Sequence, residues 1–182
     1  IVEPKIDGCA MALRYVDGIL VKAWTRKGID KTYCMRMIED LPNHILARGT
    51  VEIRGELYGK GLIPARSQRL AAGHLRKKQP SGMGLSFCAF QIFDGKGTET
   101  SNLTQLVKWG FNVCGHVKVA KDVVSEVKKL HQKWQDSLIF SEYPTDGIVV
   151  KVLSKDLQEE IGRTSIAPSW ATAIKDTWRN VY

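Results

Sequence analysis

Lys5, Asp7 and Gly8 stand in the run Val2-Glu3-Pro4-Lys5-Ile6-Asp7-Gly8, a lysine two residues from an aspartate with glycine next. This layout suits a lysine nucleophile. An amine attacks phosphorus only when unprotonated, and a solvated lysine, with a pKa of about 10.4, is almost wholly charged near neutral pH. Other fixed cations converging on the same pocket, together with partial burial, lower such a pKa. Two further lysines sit inside apolar runs, Lys151 in Thr145 to Val152 and Lys175 in Trp170 to Lys175. A lysine inside so apolar a strand needs an anion. Ala171 and Ala173, on the face of Lys175, let a ligand come close beside it. Glu52, Arg54 and Glu56 alternate with Val51, Ile53, Gly55 and Leu57, so the polar three share a face. One of those acids can face a ligand sugar; a solvated polar face is the other reading. Lys-x-Asp-Gly alone also fits an ordinary turn, but three such lysines make a constellation.

The elements that must carry these groups are legible in part. Cys9, Met11, Leu13 and Tyr15 alternate with Ala10, Ala12 and Arg14, then Asp17-Gly18 precedes a second apolar run from Ile19 to Trp24. This pattern predicts a β-hairpin with a tight turn. Lys5 then sits just ahead of a paired strand, and Arg26, at the far end of the hairpin, can return to the pocket or lie in solvent. Met35, Ile38 and Leu41 predict a helix over 30–42, stopped by Pro42. Val51 to Tyr58 and Leu85 to Phe93 read as strands, the second fully buried, with one of its phenylalanines available to stack on a base. Between them, Arg66, Arg69, Arg76, Lys77 and Lys78 surround Leu70-Ala71-Ala72-Gly73, a basic segment suited to a phosphate backbone or a pyrophosphate. Ser101 is placed to cap a helix ending at Gly110. Asp122 precedes another helix through Val123, Val127, Leu130 and Trp134, and Ser154 can cap a short one ending near Gly162.

Composition limits the function classes. A chain of 182 residues suits one domain with a sizeable core, and its net charge of +8 favours an anionic partner such as nucleic acid. No stretch approaches the roughly 18 uninterrupted apolar residues of a membrane span. Cys9, Cys34, Cys88 and Cys114 are scattered without a Cys-x-x-Cys pair, so no zinc site or disulfide framework is legible and reduced thiols are expected.

The ordered set Glu-Pro-Lys-Ile-Asp-Gly at 3–8, Thr-Arg at 25–26, Glu-Ile-Arg-Gly-Glu at 52–56, Asp-Gly-Ile-Val-Val-Lys at 146–151 and Trp-Ala-Thr-Ala-Ile-Lys at 170–175 resembles the covalent nucleotidyltransferases, the superfamily of ligases and capping enzymes. Within it, Gln158 to Ala171 and Ala71-Ala72-Gly73-His74-Leu75-Arg76 are similar to the NAD-dependent DNA ligases. The resemblance implies that Lys5 attacks the α-phosphorus of NAD, forming a lysyl-AMP phosphoramidate and expelling nicotinamide mononucleotide. AMP would then pass to the 5′-phosphate of a nick in double-stranded DNA, which is sealed. Glu3 would contact the adenine and Glu56 the ribose. Arg26, Lys151 and Lys175 would hold the nucleotide, the two lysines on its phosphate, while Asp7 orients the loop. Arg69 and Arg76 would meet DNA. Magnesium is implied by the same chemistry, mostly hydrated, because no all-protein cage is visible. A cytoplasmic setting, bacterial or that of a virus-infected host, goes with the family.

The fold this implies is α+β, with mainly antiparallel sheets enclosing the nucleotide and helices on the flanks. The chain departs from the family in places: Ser67-Gln68-Arg69 replaces a usual proline-arginine-asparagine, the glycine-rich segment after Arg26 is shortened, and Leu138 lies near the place of an arginine. The family also carries a small nicotinamide-binding domain ahead of this region, and an OB-fold, a zinc finger, a helix-hairpin-helix domain and often a BRCT domain behind it. None is read here. The expectation for 1–182 is therefore an adenylation domain, incomplete relative to a full ligase and forming little lysyl-AMP unless a partner chain or flanking domains complete it. Two rivals are an ATP-dependent DNA or RNA ligase domain, against which Gln158 to Trp170 argues, and a decayed nucleic-acid binding module, which would need one of Lys5, Glu56, Lys151 or Lys175 to be lost.

Overall fold

The computed structural model describes residues 1–164 and 168–176, and divides the strands between two sheets. The smaller holds β1 (Val2–Ile6), β7 (Thr145–Lys151) and β8 (Ala171–Lys175) in the order β1-β7-β8, all antiparallel. The larger runs β3-β2-β4-β5-β6, from β2 (Cys9–Val16), β3 (Ile19–Thr25), β4 (Thr50–Gly59), β5 (Leu85–Ile92) and β6 (Asn112–Val113). Among the described residues of this sheet only the β5–β6 pairing is parallel. This is the α+β architecture expected, with one refinement. Lys5 does not merely precede a strand; it lies in β1, on a different sheet from the hairpin that follows it.

The hairpin forms as its pattern requires. Asp17 and Gly18 have φ of 47° and 82°, a pair of left-handed residues that matches the twist of the strands they join. Met11, Leu13 and Tyr15 point into the core, together with Ile53 and Leu57 of β4 and Phe87 of β5. A second core gathers Val2, Ile148 and Phe140 with Val127 and Leu130 of α4 (Val123–Gln135). A third cluster, Ile6, Tyr58, Cys88 and Cys114 with Tyr143 against it, takes residues from both sheets where they meet.

Three local expectations change. The helix read over 30–42 is only α1 (Thr32–Arg36); beyond it Ile38 and Leu41 donate to residues three back, in turns, and still bury their side chains. The helix assigned to a Ser101 cap is α3 (Glu99–Lys108), with Thr98 as the cap and Ser101 as the reciprocal partner in a capping box. The basic segment is α2 (Pro64–Arg76), whose buried stripe is Ser67, Ala71, His74 and Leu75. Polar and small residues on that stripe hid it from a reading based on large apolar side chains. Ser154 does cap α5 (Lys155–Ile161), accepting from the Leu157 amide.

The cysteines also need correction. Cys88 on β5 and Cys114 beyond β6 form a disulfide, while Cys9 and Cys34 are free. Parallel pairing of β5 with β6 sets Cys88 opposite Asn112, two residues from Cys114, a proximity that spacing in the sequence does not encode.

Candidate functional site

β1 and β7 run antiparallel with Glu3 opposite Val149 and Pro4 opposite Ile148, so the ends of the two Asp-Gly motifs come together. Close backbone approach explains both glycines. A Cβ on Gly8 would strike the carbonyl of Leu57, and one on Gly147 the carbonyl of Ile174. With the strands this close, Lys5 Nζ lies 2.6 Å from Asp146 Oδ1, and Lys175 Nζ lies 3.2 Å from Asp146 Oδ2. One carboxylate is thus shared by the two lysines. Asp146 was not singled out from the sequence; its position beside glycine in the 146–151 motif was the available signal.

The sheets enclose a cavity of about 610 Å³ lined by Glu3, Lys5, Asp7, Arg26, Glu56 and Lys151, among others. Six of the nine candidate site residues are therefore brought together. Lys175 reaches the group through Asp146 and is half exposed. Arg69 and Arg76 lie on the exposed face of α2, outside that lining.

Lys151 meets the expectation of an anion, but the anion is a protein carboxylate. Its Nζ is 2.6 Å from Glu3 Oε2, with the side chains only 7% and 6% exposed. It also donates to the Phe90 carbonyl at 3.1 Å and stands 5.1 Å from the centre of the Phe90 ring. The other Glu3 oxygen, Oε1, is buried with no hydrogen-bond partner among the described residues. An orphaned buried acceptor is costly, so this atom is suited to a donor on a ligand.

The charges around Lys5 are unequal in state. Burial would raise the pKa of Asp146, but the hydrogen bonds and charges of Lys5 and Lys175 outweigh it and hold the carboxyl below its ordinary value. Asp7 is raised, chiefly by burial and then by Asp146. Glu56 is pushed up to about 8 by burial, against the opposing charge of Lys5. Near neutral pH Asp146, beside Lys5, is therefore ionised, while the Glu56 carboxyl in the cavity wall is held toward its protonated form.

α2 contributes a link absent from the sequence reading. The buried Ser67 hydroxyl donates to the Asp7 carbonyl at 2.8 Å and accepts from the Gly59 amide at 3.0 Å, tying the arginine-bearing helix to the loop after Lys5. Among the described residues no group of three or more His, Cys, Asp or Glu side chains is arranged to hold a metal ion. No helix there is long and apolar enough to cross a membrane.

Known proteins place this arrangement. The chain is 32% identical over 202 residues to a DNA ligase of Hahella chejuensis, and 35% identical over 205 residues to one of Saccharophagus degradans. Each alignment takes in 95% of this chain, which spans about three tenths of the length of those relatives. A solved Lig E DNA ligase shares the fold with a TM-score of 0.58 at 17% identity, over 96% of this chain and 61% of the other. The family model for the NAD-dependent DNA ligase adenylation domain matches residues 1–62 and 60–177, and with the relatives it shows that this chain belongs to that family.

Proposed function

We propose that Lys5 is the nucleophile of a DNA ligase adenylation domain and takes AMP from NAD. The observation that carries this reading is the single carboxylate of Asp146 set between Lys5 and Lys175. Lys5 must lose one proton before it attacks. Asp146, held below its ordinary carboxyl value, is too weak a base to keep that proton, which passes to solvent; the carboxylate instead fixes the position of the Lys5 amine, and Lys175 favours the neutral amine by adding positive charge. The Lys5 nitrogen then bonds to the α-phosphorus as the phosphorus–oxygen bond to nicotinamide mononucleotide breaks, and the leaving group keeps that oxygen. A second proton leaves the nitrogen for solvent, giving a phosphoramidate whose nitrogen is uncharged.

The remaining residues have roles in binding. The unpaired Glu3 oxygen suits the exocyclic amine of adenine, and Phe90 is on hand to stack on the ring. Protonated Glu56 is a donor or acceptor for ribose hydroxyls. Arg26 and Lys175 are set to stabilise charge that grows on the phosphoryl oxygens, while Lys151, held by Glu3, acts at the base end or reaches the phosphate only by exchanging partners. Asp7 orients the loop. Magnesium would be held mainly by water and substrate phosphates, since among the described residues no group of three or more His, Cys, Asp or Glu side chains is arranged to hold it. Arg69 and Arg76 face outward on α2 and suit the phosphates of a nicked duplex. Sealing the nick then uses the AMP made here.

Intact-mass spectrometry after incubation with magnesium and either NAD or ATP, with and without a supplied nicotinamide-binding domain, tests the proposal. A single AMP adduct from NAD in the presence of that added domain, mapped by peptide mass to Lys5 and absent from Lys5→Arg, is the expected result, because arginine keeps the charge but offers no free lone pair near neutral pH. An adduct on any other lysine refutes the assignment, and a preference for ATP refutes the cofactor.

A further inference from the structure

We propose that Cys88 and Cys114 are a reversible redox site whose oxidation state sets the affinity of the cavity for its adenosine nucleotide; the second half of this rests on the reading of the cavity given above. Two cysteines distant in sequence, with a separation of 26, meet in the wall of the site. Cys88 is opposite Glu56 in the β4–β5 register, and directly opposed residues share a face, so its side chain lies on the cavity side of the larger sheet. Cys114 itself lines the cavity.

Their position between the two sheets gives the bond its leverage. Cys114 packs in the junction cluster with Ile6, the residue between Lys5 and Asp7. The chain leaving β6 passes Cys114 and crosses to the smaller sheet, where Val117 exchanges two backbone hydrogen bonds with Val2, next to Glu3. The disulfide therefore fixes this crossing segment to β5. Glu3 and Lys5 come from the smaller sheet and Glu56 and Phe90 from the larger, so a bond at the crossing holds the two halves of the binding surface in register. Reduction removes that restraint without removing any group that touches nucleotide.

Access has the same logic. Cys88 is 1% exposed and Cys114 8%, and the cavity is the side from which a small thiolate reaches Cys114. Bound nucleotide blocks that approach. The exchange is a two-electron step with an external dithiol or a pair of glutathione thiols. The external thiolate attacks one sulfur and the resulting mixed disulfide is cleaved by the second thiol. Cys88 and Cys114 finish as thiols carrying the two protons, and the reductant finishes as a disulfide. The remaining cysteines do not compete: Cys9 has its thiol pushed up to about 11 by burial and by Glu56 and Asp7, and Cys34 is buried.

Because the coupling is reciprocal, the factor by which oxidation tightens nucleotide binding equals the factor by which nucleotide favours the disulfide. The full chain, equilibrated in glutathione buffers of graded potential with and without saturating NAD, is acid-quenched, unfolded, alkylated with a maleimide and weighed. Under oxidising buffer two labels are expected, on Cys9 and Cys34; under reducing buffer, four. NAD should shift the transition toward more reducing buffer. Calorimetry should show several-fold weaker NAD binding by the reduced protein, and by Cys114→Ser in either buffer, with the circular dichroism of the fold retained. Four labels in oxidising buffer overturn the redox site. Equal NAD affinity in both states, or a transition indifferent to NAD, overturns the coupling. If NAD binds in neither state, the reading of the cavity falls and the coupling with it, while the label count still decides whether the redox site exists.

Discussion

Glu3 and Lys151 meet at 2.6 Å across adjacent strands of the smaller sheet, almost wholly withdrawn from solvent. A buried pair of this kind is expensive to break and cheap to replace as a unit. Lys151→Met, which leaves Glu3 alone, should cost about 3–5 kcal/mol of stability. The double variant Glu3→Leu with Lys151→Met should recover most of that in urea unfolding, yet bind no adenosine nucleotide. A double variant that binds normally would remove Glu3 from the adenine site.

Asp146 should matter through the positioning of Lys5 and Lys175 through charge. Asp146→Asn removes the ion pair that positions Lys5 and should slow AMP transfer by roughly 10²-fold. Lys175→Ala should cost on the order of 10²-fold, as loss of an oxyanion donor does. Single-turnover rates with both folds verified would decide; near-normal rates in both would make the shared carboxylate a surface ion pair and nothing more.

Glu56 predicts the direction of a pH effect on stability. Its carboxyl titrates at about 8 when folded and near its ordinary 4.5 when unfolded, so the folded state holds the extra proton between those values. Stability should therefore fall as pH rises from about 5 to 8 and level off above, since the unfolded chain gains from ionising first. Thermal unfolding of Glu56→Gln across that range should lack this slope. An unchanged slope would assign it to other groups.

For Arg69 and Arg76 the measurable quantity is salt dependence. If each neutralises a DNA phosphate, its replacement by alanine should weaken binding of a nicked duplex uniformly across sequences and lower the log-affinity against log-salt slope by about 1. Wild-type slopes in both variants would leave these arginines in solvent.

What the sequence made legible was local. Alternation placed Met11, Leu13 and Tyr15 inward and kept Glu52, Arg54 and Glu56 together, because a strand repeats every two residues whatever it pairs with. Pairing partners far along the chain were another matter. The shared carboxylate needed the β1–β7 register, and the Cys88–Cys114 bond needed parallel alignment of β5 with β6. The Ser67 link to Asp7 needed α2 to be recognised as a helix, which its small and polar buried stripe concealed. Lys151 was read correctly as demanding an anion, although the type of residue could not say that Glu3 would supply it.

β1 lies at the edge of its sheet, and its strand partner is β7. Lys5 and Asp146 are 141 residues apart. On a ribosome adding roughly 5–20 residues each second, Lys5 emerges some ~7–28 s before its carboxylate has been made. The hairpin of β2 and β3 can fold on local contacts in that interval, but Lys5 waits for β7. Closing so long a loop makes this the slow, late event of folding. The Lys5–Asp146 pair therefore forms only when β7 docks on β1, and a nascent fragment that stops short of β7 lacks it.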